Sequence, residues 1–530
     1  MKTAFVLLPT LLLPSFGASV ACAASMIPAP VQGAVAGSVP RVERVGECFA
    51  RPPDDLEFPH RLDCGYVVVP EFHEQESETT LKLAFLRINS GKGPARSPLF
   101  ILAGGPGETD IKPEVFLLFQ KPLLGRILDE RDIVLLDQRG AGHSQPLLDC
   151  PELYSLPWVA TRKGLDEAGA TRLQAATLQA CRDGFEAQGL HLDAFNSVES
   201  AADVDAARRA LGYERIVYYG GSYAAQLGQH VMREHPGILE GVVLDGANAL
   251  SRKTWVEDRA LDAQWGIDNL AKLCEADEKC RAAYDIPRLL SDALALFGDG
   301  TRSYTYVDPA DPKVTLGLRL TKADLVNLVY AKQGTAIGSF SLPAILDQLN
   351  KGGVGSMLEI LGRDAGARIV ASRSAREGGM AFLMHLAVVC SDDPVHSVDD
   401  VNTKGVGEYA RTFGRNAAET YAALCPLLHV KELPPSTDVN VRTSVPALLL
   451  AGDLDVATPS SRTREVADAL PNSTFVLFHG RTHVQIAGAN VCAAQMMTQF
   501  VLDPTSRLET SCSKGPSPYS FVLPDGTTSR

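Results

Sequence analysis

The sequence predicts an α/β protein: a mostly parallel sheet with helices on both faces, interrupted by a helical insertion. Three observations predict it. Short apolar runs alternate with helix-patterned segments from Leu99 to about Leu250, and again from Val445 onward. Between Ser251 and about Leu386 the alternation gives way to helical pattern alone. Finally, the apolar run 215–219 turns at once into the helix-patterned run 223–232, with Gly220-Gly221-Ser222 between them.

Taken in order, the chain opens on Met1-Lys2, an apolar stretch from Ala4 to Leu13, and small residues at Ala21-Cys22-Ala23. This is the pattern of a targeting segment, residues 1–23, cleaved near Ala23-Ala24. Pro9 and Pro14 break the stretch, which is also too short for a membrane span. Cys22 offers lipidation as the minor alternative, although Ser19 stands where a lipobox wants leucine. Residues 24–40 read as a loose leader rich in Ala, Pro and Gly. Runs 66–70 and 81–88 read as paired strands with a polar connection. Runs 99–102 and 133–136 are buried strands; Ser200 opens a helix that Gly212 closes; 242–244 is a further strand. Helices are expected over 254–273, 286–297 and 342–349, then strands over 445–450 and 474–478. The organisation is therefore a first core half (24–250), a helical cap (251–386) and a second core half (387–530).

The formal net charge of −13 argues against a nucleic-acid partner. Of eleven cysteines, one lies in the targeting segment; the remaining ten form an even set, as disulfides in an exported protein require. Pairing neighbours along the chain joins Cys48 to Cys64, Cys150 to Cys181, Cys274 to Cys280, Cys390 to Cys425 and Cys492 to Cys512. No two-residue-spaced cysteine pair and no histidine cluster points to a metal site. No cofactor and no stable membrane span is expected.

A strand that turns immediately into a helix around a serine is a nucleophile elbow. The turn is crowded, so its neighbours must be small; Gly220 precedes Ser222 by two residues and Ala224 follows by two. A nucleophilic serine needs a base, and the base an orienting acid, in the chain order Ser, Asp or Glu, His. After the late strand comes Gly452-Asp453-Leu454-Asp455, and after the next strand His479-Gly480-Arg481-Thr482-His483. Asp453, Asp455 and Asp245, at the end of the 242–244 strand, all compete as the acid. His483, deeper in its loop than His479, is the candidate base. One oxyanion donor is expected from the N–H of Tyr223, and the other from the glycine-rich loop Ala103-Gly104-Gly105-Pro106-Gly107.

These motifs resemble the prolyl aminopeptidase and tripeptidyl aminopeptidase family of α/β-hydrolases, over about Cys64 to Cys512. The resemblance rests on Gly104-Gly105-Pro106-Gly107, Asp137-Gln138-Arg139-Gly140, Gly220-Gly221-Ser222-Tyr223, Gly452-Asp453-Leu454-Asp455 with Thr458-Pro459, and His483. The cysteine-bearing C-terminus is similar to the secreted tripeptidyl branch. The resemblance implies an α/β-hydrolase fold with Ser222 as nucleophile, Asp455 as acid, His483 as base and Gly105 as second oxyanion donor. Asp137 and Arg139 could be read as catalytic but are read as structural, through an Arg–carboxylate pair that fixes the loop beside the nucleophile. Asp392, in Cys390-Ser391-Asp392-Asp393, is the candidate for recognising a substrate amine, with a helix cap beside a disulfide as the equal alternative. Two positions depart from the family: Ala103, where histidine is usual, and Ala224, where glycine is usual. The expected function is an exported serine aminopeptidase. The alternatives are an esterase or amidase on the same scaffold, and a non-catalytic binding protein, against which the intact serine, acid and histidine argue.

Overall fold

Alternate residues of each central strand serve different cores. In the run Leu99-Phe100-Ile101-Leu102, Leu99 and Ile101 enter one hydrophobic cluster, whereas Phe100 and Leu102 enter another. The same split separates Val217 and Tyr219 from Tyr218, and Leu448 and Leu450 from Leu449. Both faces of the sheet are covered, so these runs are apolar at every position rather than at every second one.

The computed structural model describes residues 39–530 apart from 76, 91–95, 154–155, 157–164, 166, 299, 301, 308–314 and 353–378. The expected targeting segment and Cys22 lie outside the described residues. The main sheet holds β1 (Arg41–Arg44), β2 (Leu62–Pro70), β3 (Thr80–Ile88), β4 (Leu99–Leu102), β5 (Ile133–Leu136), β6 (Ile216–Gly221) and β7 (Leu239–Asp245). Its order is β1-β2-β3-β5-β4-β6-β7, continued by β10 (Ala447–Gly452) and β11 (Ser473–Phe478). Strands β1 to β3 are antiparallel, and β3 meets β5 antiparallel. From β5 across to β11 all pairings are parallel. The α/β class, with a mostly parallel sheet between helical layers, is thus the architecture found.

Helix α1 (Ser197–Ala210) and helix α2 (Tyr223–Glu234) cover one face. The helix expected from Ser200 begins three residues earlier, because the Asn196 side chain caps the N–H of Glu199. The segment expected to be largely helical carries α3 (Arg259–Ala276), α4 (Lys322–Gln333) and α5 (Ala336–Gly352), but also a hairpin, β8 (Arg302–Val307) with β9 (Thr315–Leu320). A third cluster holds this layer together: Ile267, Leu270, Val326, Leu342 and Leu346 pack with Val389 of α6 (Phe382–Asp392) and Tyr409 and Ala418 of α7 (Glu408–Leu424). Leu454, lying between Asp453 and Asp455, inserts into the same cluster and ties the insertion to the C-terminal edge of the sheet. The five neighbour pairs of cysteines are all joined as disulfides.

Candidate active site

The C-terminal ends of β4, β6, β7, β10 and β11 all face the same edge, the position where parallel sheets present ligand-binding loops. Ser222 stands between β6 and α2 with φ 58° and ψ −127°. A non-glycine residue rarely takes positive φ, and here the strain is local and enforced. A Cβ on Gly220 would lie 2.2 Å from the carbonyl oxygen of Ala224, so only glycine closes the turn. Ala224 itself is fully buried, and its carbonyl accepts a hydrogen bond from the Tyr218 hydroxyl at 2.7 Å. The elbow thus accommodates the alanine that departs from the family pattern.

The two Asp–His alternatives separate cleanly. Asp453 accepts from the N–H of Gly480 and lies 3.0 Å from Nδ1 of His479. Asp455 is fully buried, and its Oδ2 lies 2.8 Å from Nδ1 of His483. Asp455 Oδ1 also accepts from the N–H groups of Ala457 and Thr458, each at 2.9 Å, and the Thr458 hydroxyl donates to Oδ2 at 2.7 Å. These contacts fix a carboxylate that in turn assigns the Nδ1–H tautomer to His483, leaving Nε2 free to accept a proton. Asp245, the third candidate, instead accepts from the N–H groups of Gln485 and Ile486 at 2.8 Å and from the Tyr219 hydroxyl. It therefore braces the loop that carries His483. Burial lowers the affinity of the His483 ring for a proton, but Asp455, then Asp245 and Glu108, outweigh that and raise its pKa above the ordinary imidazole value.

Close packing brings this loop to the serine. A Cβ on Gly221 would lie 3.1 Å from Cγ1 of Val484, next to His483. Val484 has φ 52°, an outlier for a β-branched residue, and sequence reading passed over it. On the other side, a Cβ on Gly104 would lie 2.9 Å from Cβ of Ser222 and 3.1 Å from the carbonyl oxygen of Gly221. Glycine there lets the 103–107 loop approach the serine, with Gly105 at φ 107°.

That loop is braced by residues the sequence named for other reasons or not at all. Gln138 donates to the carbonyl of Ala103 at 2.7 Å, so a side chain from the Asp-Gln-Arg-Gly string supports the loop at the position where Ala103 departs from the family. His385 of α6 has Nδ1 3.3 Å from the carbonyl of Pro106 and Nε2 2.8 Å from the Tyr421 hydroxyl. Burial lowers its pKa to about 4, so it stays neutral. Asp137 accepts from the Thr109 hydroxyl and the N–H of His143. Arg139, fully buried, forms a two-pronged pair with Asp203 of α1 at 2.7 Å and donates to the carbonyls of Glu71 and Ala194. The carboxylate paired with Arg139 is Asp203.

Asp392 is placed differently from the other candidates. It is buried, and it accepts from the N–H and the hydroxyl of Ser197 at the start of α1. The same Ser197 hydroxyl lies 2.7 Å from the Tyr223 hydroxyl, so the contact orders the helix behind the elbow. Burial raises the Asp392 carboxyl to about 7. Each of its carboxylate oxygens accepts one hydrogen bond from Ser197.

Comparison with known proteins agrees with this architecture. Residues 97–316 match the alpha/beta hydrolase fold family, and residues 409–512 match the TAP-like protein family. Serine protease Hip1 of Mycobacterium tuberculosis is 24% identical over 476 residues, spanning 85% of this chain and 87% of that protein. Tripeptidyl aminopeptidase of Streptomyces coelicolor is 28% identical over 223 residues, 40% of this chain and 41% of that protein. Carboxylesterase B of Mycobacterium tuberculosis is 24% identical over 468 residues, 83% of this chain and 84% of that protein. The first matched segment contains Ser222 and the second contains Asp455 and His483; the chain has the α/β-hydrolase fold with a TAP-like C-terminal segment, and is a hydrolase.

Proposed function

We propose that this chain is an exported serine aminopeptidase, hydrolysing peptide bonds near free N-termini through an acyl-enzyme. The observation that carries the reading is a strained elbow serine at the sheet edge that also carries a histidine whose Nδ1 is held by a buried carboxylate. Ser222 Oγ attacks the scissile carbonyl carbon while His483 Nε2 takes its proton. Asp455 stabilises the imidazolium that forms. The N–H groups of Gly105 and Tyr223 receive the oxyanion, and the N-terminus of α2 adds its positive end. Collapse breaks the C–N bond, and His483 returns the proton to the leaving amine. Water, deprotonated by the same imidazole, then releases the acyl group.

The relatives named serine protease and tripeptidyl aminopeptidase support peptide bonds as the target. The five disulfides suit an oxidising compartment, in keeping with the N-terminal pattern of residues 1–23. A second reading, an esterase, has the relative named carboxylesterase B in its favour. The two part on the N-terminus of the substrate. An aminopeptidase should cleave free aminoacyl or tripeptidyl nitroanilides and nearly lose activity when they are acetylated. Equal rates on free and acetylated substrates, with short acyl esters preferred, would favour the esterase.

A further inference from the structure

A positive charge leaving water must be paired with a carboxylate, and Asp392 lies buried against Ser197. The loop that approaches Ser222 supplies one. Glu108 follows Gly107, and its N–H donates to the carbonyl of Gly104 at 3.3 Å. The side chain folds back over the loop, so that its Cγ lies 3.3 Å from where a Cβ on Gly105 would be. Glu108 is exposed, and among the described residues its carboxylate has no hydrogen bond or ion pair. Nearby carboxylates are otherwise engaged: Asp455 with His483 and Thr458, Asp245 with Gln485 and Ile486, Asp137 with Thr109 and His143. Asp110 is next to Glu108 in space and has Lys112 for a neighbour at 3.9 Å.

We propose that Glu108 is the carboxylate that receives the substrate α-ammonium, and that the substrate class is the aminoacyl one, with a single residue removed per cut. This rests on the aminopeptidase reading and deepens it. The reason for a single residue is the position of Glu108. It sits over Gly105, whose N–H is the candidate oxyanion donor, and its charge is felt at His483. A carboxylate this close to the chemistry meets the amine of the residue that carries the scissile carbonyl. In a tripeptidyl substrate the ammonium would lie two residues further out, roughly 7 Å beyond this point in an extended chain. Desolvation and Asp110 raise the Glu108 pKa, while Lys112 and His483 act against them; an incoming ammonium would add a further positive charge beside it.

The test compares wild type with Glu108→Gln on three substrates: alanyl-nitroanilide, trialanyl-nitroanilide and p-nitrophenyl acetate. The readout is the kcat/KM for each peptide substrate divided by that for the ester on the same preparation, which corrects for folded, acylatable enzyme. For alanyl-nitroanilide this ratio should fall about tenfold to a hundredfold, mainly through KM, as expected for loss of a charged hydrogen bond. The trialanyl ratio should fall much less. Glu108→Asp keeps the charge and should recover part of the alanyl ratio. If the alanyl ratio stays within about twofold of wild type while wild type still rejects acetylated alanyl substrate, Glu108 is not the amine receptor and the aminopeptidase reading stands. An equal loss on all three substrates would assign Glu108 to the chemistry of His483 and overturn the proposal. Wild type that cleaves acetylated and free alanyl substrates alike would remove the aminopeptidase reading, and this role of Glu108 with it.

Discussion

At the residue scale the account turns on which carboxylate serves His483. Spacing alone left Asp453, Asp455 and Asp245 open, because all three follow buried strands that end at the same edge. Family resemblance pointed to Asp455, and geometry gives the physical ground: each acid has its own partner, and only Asp455 meets Nδ1 of His483. Asp455→Asn should therefore lower kcat severely, about 10⁴-fold by analogy with other triads, since the wrong tautomer is then favoured. Asp453→Asn should cost far less; the reverse order in steady-state assays would reassign the acid. The raised pKa of His483 has a further consequence. A protonated imidazole cannot take the serine proton, so kcat/KM should be low in acid and rise with pH. The midpoint should lie above the ordinary imidazole value, because Asp455, Asp245 and Glu108 hold the proton on. A profile that falls through this range would contradict the base role. For Asp392 the sequence leaves two roles open, recognition of a substrate amine and a helix cap; the residue is buried and bonded to Ser197 at the start of α1.

At the element scale the elbow, the glycine-rich loop and the Asp-Gln-Arg-Gly string form one braced unit. Arg139 is its anchor, tying the string to α1 through Asp203. Arg139→Ala would leave Asp203 buried with His73 as its remaining side-chain partner, and should destabilise the fold by about 3–5 kcal/mol, measurable by denaturant titration. Loss within about 0.5 kcal/mol would show the pair to be dispensable. Gly104→Ala should act on the chemistry instead, since its Cβ must displace Ser222 or the carbonyl of Gly221. It should lower kcat at least tenfold with Tm little changed, as a misplaced nucleophile does. The elements were legible where both faces of the sheet are covered, because runs such as 133–136 and 447–450 are apolar throughout. The β8–β9 hairpin was missed although Arg302–Val307 alternates aromatic and β-branched residues; it lies inside a block whose dominant pattern is helical. The start of α1 was misread because Ser200 resembles a cap, whereas Asn196 performs it. The brace from Gln138 to Ala103 was not readable, since it joins residues on two strands' loops.

At the scale of the whole molecule, the chain beyond Cys512 acts as a strap. Arg481, in the loop before His483, lies over the ring of Tyr519, at 5.3 Å from its centroid. Phe521, buried, packs on Phe340 of α5 at 4.7 Å between centroids, and the N–H of Val522 donates to the carbonyl of Phe340. The strap thus joins the histidine loop to the helical insertion. Phe521→Ala should cost about 3–5 kcal/mol through the cavity it leaves, read as a drop in Tm. The five disulfides set the other whole-molecule expectation: alkylation of the unreduced mature protein should label none of the ten paired cysteines, whereas two or more labelled sites would break the framework. All of this scaffolding exists, on this account, to hold one activated serine. Incubation with a fluorophosphonate followed by peptide mass mapping tests that claim most directly. The account predicts a single adduct on Ser222, formed in step with loss of activity and abolished by Ser222→Ala. Full turnover with Ser222 unmodified after exposure to the reagent, or an adduct on another residue that tracks inactivation, would contradict it.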